Sequence, residues 1–409
     1  MGKLLKRRTF LGNVGKATMA SFIPVGALNL HSIPSDRVNI GVIGTGSRGN
    51  WLIKLLQDIP KASVIAGCDI IPSRLEKGLN LSARGSKGYT DYRKMLENKD
   101  IDAVIVSAPL SLHYEMAVAA IEAGKNVYCE KTMCFTPEES LDLGKVLKNS
   151  DRIFQVGYQH RYNPLYNEIK KLIQSDDFGP LSHIECYWNR NGDWRRPVED
   201  PKLERLINWR MYREFSGGLM AELSSHQIDI VNWILEDLPS SVTGYGGIDY
   251  WKDGRETFDH VHSVFKYDSG IQASYTCLTT NAHMGYQMLF YGKNATIQVT
   301  GEQGHKAFRF VEPAWIEGMK KGKVDGMSGA TVKIPEAGEA VPILAGHGPE
   351  DDAEPTGKAL ASFADCIRKN KMPLSNYENG KNTAICVAKA NEAMQKEERM
   401  NLKMMYSVR

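Results

Sequence analysis

Apolar positions along this chain follow two rhythms, and the change from one to the other divides it. Up to about Gly157, short and mostly apolar runs at 38–43, 63–68, 103–109 and 126–129 alternate with stretches of a different pattern. There the apolar residues recur every three or four positions, as in Trp51, Leu52, Leu55 and Leu56, or Tyr114, Val118 and Ile121. Runs of the first kind are strands buried on both faces; the stretches between, with 74–81 and 91–98, are helices. Such alternation predicts a doubly wound parallel sheet. From about Gly179 the rhythm shortens to two. Alternating runs at 183–188, 242–246, 262–267, 271–278, 288–291 and 296–299, joined by short Gly, Asp and Asn turns, predict an antiparallel meander. Helices are expected over 227–235, 358–367 and 382–398. Residues 302–357 lose the strand rhythm and are rich in Gly and Pro. They read as an extended connection at a subunit or active-site edge, in which Glu350, Asp351 and Asp352 cap or simply solvate. The fold class is therefore α/β: a Rossmann domain at 36–157 and a second α/β domain at 158–409, behind a leader at 1–32.

The first strand and helix meet at Gly44-Thr45-Gly46-Ser47-Arg48-Gly49, and the second strand ends at Asp69. Strand, glycine turn, helix, strand and acid in this order form a dinucleotide-binding fingerprint. Gly44 permits the tight turn, Gly46 lets the backbone approach a pyrophosphate, and Gly49 lets helix and strand pack closely. The N–H groups of the helix start, with Ser47 and Arg48 among them, face the anion. Asp69 can accept from the adenosine ribose hydroxyls and would repel a 2′-phosphate, so NAD is expected rather than NADP.

Composition adds little to the fold and more to the location. With 42% hydrophobic and 24% charged residues, the 409-residue chain can build two ordinary cores. Setting aside the five cations Lys3, Lys6, Arg7, Arg8 and Lys16 turns the net charge of +3 into −2, so no nucleic-acid partner is expected. Arg7-Arg8-Thr9-Phe10-Leu11, followed by a weakly apolar stretch too short to span a bilayer, reads as a signal for the twin-arginine export machinery. The expected location is the periplasm; the alternative is a basic cytoplasmic tail. Soluble nicotinamide cofactor is a cytoplasmic currency, so an exported chain should carry it out already bound. The seven cysteines show no C-x-x-C pair and no zinc spacing, and several fall in apolar strand-like runs that bury thiols. Their odd number counts mildly against an oxidising compartment. No metal site is expected.

In doubly wound sheets, ligands bind beyond the carboxyl ends of the strands. Three polar clusters lie there: Asp69, Ser107 to His113, and Glu130-Lys131. Lys131 can hold a substrate hydroxyl and stabilise the alkoxide, or be a surface lysine after a strand. His113 contacts the nicotinamide or ribose, or caps the next helix. Leu110 and Gln159 complete the cofactor set. Further on, Glu222, His226 and Asp229 are spaced i, i+4, i+7, so a helix places them on one face. A carboxylate one turn from a histidine orients it and raises its basicity, which suits a general base. Trp188 to Pro197 and Trp209 to Arg213 concentrate tryptophan and arginine, a set suited to stacking on and hydrogen bonding to a sugar ring, or to packing a long loop.

Together with Gly157-Tyr158-Gln159-His160-Arg161-Tyr162-Asn163 and Gly217-Gly218-Leu219-Met220-Ala221-Glu222, these pieces resemble the Gfo/Idh/MocA (glucose–fructose oxidoreductase / inositol dehydrogenase) family. The resemblance extends over most of the chain after the leader. It implies a second domain built on a large open, mostly antiparallel sheet, with the last helices packing back on the Rossmann domain. It also implies an NAD-dependent oxidation of a secondary hydroxyl on a carbohydrate, with His226 as base, Lys131 holding the oxygen, and Glu222 orienting His226 or binding another hydroxyl. Asp229 is then a structural partner. Arg161, Trp194 and Arg210 are the expected substrate contacts, and a homo-oligomer through the C-terminal sheet is expected. Two departures stand out: Thr132 follows Lys131 where the family has proline, and Glu222 stands where it has aspartate. Exported relatives include NAD-dependent glycosidases that oxidise C3, eliminate the aglycone, add water and reduce. Leu223 occupies the place expected for that branch's tyrosine, which ranks hydrolysis second.

Overall fold

The computed structural model describes residues 37–317, 336, 338–344 and 354–406; the leader and the acidic triplet 350–352 lie outside them. The first half is a six-stranded parallel sheet of β1 (Val38–Ile43), β2 (Ala62–Cys68), β3 (Lys87–Tyr89), β4 (Ala103–Val106), β5 (Asn126–Cys129) and β6 (Phe154–Val156). Its order is β3-β2-β1-β4-β5-β6. The order reverses between β1 and β4, which opens a crevice at their carboxyl ends. Helices α1 (Ser47–Leu56), α2 (Pro72–Leu81), α3 (Tyr92–Leu96), α4 (His113–Glu122) and α5 (Pro137–Lys148) cover the faces. Every residue of β4 and β5 is buried, which is why those runs carry no alternation. A Thr136–Glu139 capping box fixes the start of α5.

The second sheet has nine strands: β7 (Leu181–Trp188), β8 (Ser241–Gly247), β9 (His260–Lys266), β10 (Gln272–Leu278), β11 (Tyr286–Gly292), β12 (Ala295–Thr300), β13 (Lys306–Val311), β14 (Ala340–Ile343) and β15 (Met400–Asn401). The order β14-β13-β12-β11-β7-β10-β9-β8-β15 corrects the expected simple meander. β7 sits between two meanders, parallel to β10 and antiparallel to β11. The presence of β13 and β14 also corrects the reading of 302–357 as an extended connection without strands. Burial alternates along β9, β10 and β12 and up to Tyr291 in β11; the one-turn α7 (Glu204–Ile207) follows β7, and one face of the sheet packs on α6 (Pro164–Ile173) and α8 (Ser225–Leu235).

Two C-terminal helices return to the first half. α9 (Pro355–Lys369) lays Leu360, Phe363 and Ala364 into one core with Val38, Ile40, Val42 and Leu52. Phe363 meets Tyr128 edge-on at 5.7 Å, and buried Gln155 donates to the Ala359 carbonyl at 2.8 Å. α10 (Tyr377–Lys396) runs along the seam. There Tyr377 donates to the Ser140 carbonyl and Asn391 to that of Gly217.

Candidate active site

A cavity of about 370 Å³ opens at the carboxyl ends of β1, β2, β4 and β5 and is roofed by residues from 188 to 226. Its floor is the glycine turn. Gly44 has φ +88°, a conformation open to glycine, and a Cβ there would lie 2.6 Å from the Ser107 carbonyl oxygen. A Cβ on Gly49 would lie 1.9 Å from the Gly44 carbonyl oxygen, so close packing demands that glycine. Gly46 is different. A Cβ there meets nothing nearer than an Arg74 nitrogen at 3.8 Å, so its small size leaves open room on the cavity side. Ser107 pins the turn, donating to the carbonyls of Gly44 at 2.7 Å and Ile43 at 3.1 Å.

Asp69 ends β2 on the cavity wall. Its carboxylate accepts from the Thr45 N–H and the Ile71 N–H, both at 2.9 Å, and retains acceptor capacity for ribose hydroxyls. Buried Gln159 faces the same space with its side-chain oxygen unpartnered among the described residues. The open room at Gly46, the acid at Asp69 and the orphaned Gln159 oxygen fit a dinucleotide. Arg48 and Glu130, both read as cofactor residues, hold each other at 2.7 Å and tie the start of α1 to the end of β5. His113 is buried, its ring nitrogens 2.8 Å from the Thr132 carbonyl oxygen and 3.0 Å from that of Ala108. It braces two strand-end loops beside the cavity, which Leu110 also lines.

The opposite wall comes from the residues that lead into α8. A wide π turn over Met220–Ser224 precedes that helix. Lys131, whose peptide bond to Thr132 is cis, donates to the turn's carbonyls at Ala221 (3.3 Å) and Glu222 (3.0 Å). Two of its three N–H bonds are thereby used, and the third is left for an oxygen in the cavity. Burial lowers its pKa, with Glu222 and Glu130 opposing. His226 lines the same cavity. Burial, then His160 and Lys131, hold its pKa well below the ordinary histidine value, so the ring is neutral at physiological pH.

Glu222 corrects the expected helical ladder. Its carboxylate faces Arg210 Nε at 2.6 Å, and His226 Nδ1 has no hydrogen-bond partner among the described residues. The wide turn shifts the phase between the two. What orients the His226 ring is an aromatic box: His160 at 5.0 Å and perpendicular, Trp188 at 5.6 Å, and Tyr158 at 6.0 Å. Burial alone would raise the Glu222 pKa; Arg210 and Lys131 outweigh it and hold it at about 2.

Arg161 and Trp194 are corrections too. Arg161 is buried and grips Asp229 with two hydrogen bonds of 2.8 and 2.9 Å, away from the cavity wall. Asp229 is thus a packing partner, turned from the cavity that Glu222 and His226 line. Trp194 follows the sheet in a loop with φ +63° and does not line the cavity. Arg210 does line it, joined by Trp188, Arg190, Arg196 and Trp209 of the tryptophan–arginine cluster. Strand alternation could have picked out Trp188, since Ile184, Cys186 and Trp188 point to the buried face of β7. Cys366 is half-buried and the other six cysteines are buried, all as thiols. No His, Cys, Asp and Glu cluster suited to a metal occurs among the described residues.

Two family models match this chain. One, the GFO/IDH/MocA oxidoreductase family with an NAD-binding Rossmann fold, covers residues 38–158; the other, the GFO/IDH/MocA C-terminal domain, covers residues 166–305. The chain belongs to the Gfo/Idh/MocA family, and its first domain is an NAD-binding Rossmann domain. An inositol 2-dehydrogenase of Salmonella typhimurium is 30% identical over 211 residues, which make up 50% of this chain and 56% of that protein. A scyllo-inositol 2-dehydrogenase (NAD(+)) of Bacillus subtilis is 26% identical over 271 residues, 66% of this chain and 72% of that protein. The chain thus spans little more than half the length of several curated relatives. Among solved structures, levoglucosan dehydrogenase in complex with NADH and levoglucosan shares the fold with a TM-score of 0.71. The identity is 18%, over 89% of this chain and 99% of that one.

Proposed function

We propose that this protein is an NAD(H)-dependent oxidoreductase acting on a secondary hydroxyl of a sugar-like substrate. The observation that carries the reading is that Lys131 and neutral His226 face one cavity with the glycine turn and Asp69. Bound nicotinamide supplies the two-electron acceptor for a hydride. The chain's own groups handle the proton and the oxygen. His226 takes the hydroxyl proton, for which it must be neutral. Lys131 donates its remaining N–H to that oxygen and stabilises negative charge as it develops. Glu222, paired with Arg210, holds a negative charge near Lys131 that opposes the effect of burial and favours the charged lysine. Trp188 and Trp209 offer flat faces to the C–H side of a ring.

The same proposal places the protein in the periplasm, exported folded by its twin-arginine leader, with NAD retained through turnover and copies joined through the nine-stranded sheet. Native mass spectrometry of the purified protein tests retention: a bound nicotinamide is expected, and protein that arrives empty and binds NAD weakly overturns it. For the chemistry, Lys131→Met and His226→Ala should each abolish nicotinamide reduction by a sugar panel while leaving NAD bound. Net hydrolysis through transient C3 oxidation ranks behind, because Leu223 on the cavity wall brings no ionisable group. Aglycone release from an aryl glycoside without net reduction would reverse that ranking.

A further inference from the structure

The cations around the cavity are not equally occupied. Arg48 is paired with Glu130, Arg210 with Glu222, and Lys131 donates to backbone carbonyls. Arg74, Arg190 and Arg196 also line the cavity and make no ion pair within 4 Å among the described residues. Two of these three lie at the glycine turn. Arg196 donates to the Ser47 hydroxyl at 2.6 Å, and its backbone is gripped on both sides by the buried Asn208 amide (2.7 and 3.0 Å). Arg74 is the nearest group to the open side of Gly46. Both stand where a pyrophosphate belongs, which brings one negative charge per phosphate. That assignment leaves Arg190 over.

Arg190 sits at the other end. Its backbone N–H is fixed to the Leu278 carbonyl at 2.7 Å, at the end of β10. Its guanidinium lies over the Trp188 ring at 5.8 Å, and that ring is 5.6 Å from His226. A forked cation therefore stands on the same aromatic wall as the proposed base, with no carboxylate in ion-pair contact; Glu302 and Glu222 act on it only from farther off. We propose that Arg190 receives a carboxylate on the substrate, so that the substrate class is an acidic sugar of the uronate type. A single forked guanidinium matches one planar monoanion; a phosphate dianion would call for a second cation at this end. The proposal rests on the oxidoreductase reading for its chemistry, but its binding arm can be tested apart from it.

The test uses NAD-loaded protein and three probes in gluco and galacto configurations: methyl uronides, methyl glycosides, and hexose 6-phosphates. Binding is read by thermal shift and calorimetry, and oxidation by nicotinamide absorbance. The uronide should bind at least roughly ten-fold tighter than the neutral glycoside, the hexose phosphate not sharing the gain. Arg190→Gln should erase that preference through KM, with NAD affinity unchanged, and Arg190→Lys should restore part of it. Equal binding of uronide and glycoside, tighter binding of the phosphate, or a uronide preference that survives Arg190→Gln overturns the proposal. Oxidation of neutral glycosides with uronides ignored overturns it while leaving the oxidoreductase reading intact. Arg190-dependent uronide binding without any oxidation upholds it and overturns that reading.

Discussion

Replacing Arg161 by leucine separates a structural role from a substrate contact. Arg161 and Asp229 are 4% and 1% exposed and share two hydrogen bonds. With the guanidinium gone, Asp229 keeps the Thr383 hydroxyl at 3.5 Å as its nearest side-chain partner. A buried carboxylate left this way costs about 3–5 kcal/mol. The cost depends on pH in a definite sense. Burial already raises the Asp229 pKa, and Arg161 opposes that rise; its removal lets the pKa climb further. A group with a raised folded pKa loses stability as pH rises through that value, so the penalty should be largest at neutral to alkaline pH and shrink toward acid. Urea unfolding at two pH values measures both effects. Arg161→Met/Asp229→Leu should recover much of the loss, since a buried pair is often replaceable by apolar groups. Wild-type stability with a raised substrate KM in Arg161→Leu would refute the reasoning and return Arg161 to the substrate.

Other expectations follow from the same geometry. Gly49→Ala should lower the melting temperature and abolish NAD binding, because its Cβ meets backbone, whereas Gly46→Ala should fold normally and weaken NAD in a fluorescence titration. The acid limb of kcat should fall below the ordinary histidine value of about 6.5, since His226 stays neutral there; a limb at that value would mean a different base. His160 is buried and its pKa is pushed down to about 3, so it contributes stability that is present above its unfolded pKa and lost as pH falls toward 3. That loss is on the order of 4 kcal/mol, and His160→Phe should flatten the acid side of a stability–pH curve.

The nucleotide half was legible because each of its signals is local: apolar runs, a glycine turn, and an acid at a strand end. The six strands read in the second half were legible for the same reason. Their order was not, because β7 pairs with strands that come far later in the chain and nothing in its own alternation names its neighbours. β13 and β14 were hidden by the Gly and Pro around them. At the site, Lys131 and His226 could be singled out, but not how they are held. The wide turn at Met220–Ser224 inserts extra backbone that a fixed helical period cannot register, and so Glu222 was assigned to His226 when it belongs to Arg210. Arg161 lies two residues after cavity-facing Gln159 in its motif, and only the fold shows that it turns inward to Asp229.

The placement of α9 bears on when this protein can first hold its cofactor. Its residues Leu360, Phe363 and Ala364 close the core beneath β1, the strand that leads into the glycine turn. During synthesis β1 emerges well before α9. Until then the back of the nucleotide sheet is an uncovered apolar surface, and the ribosome-bound chain has no finished crevice to fill. Cofactor capture thus waits on a chain that has extended at least through α9. A quality check that senses bound NAD would, in effect, be checking that translation had passed that helix.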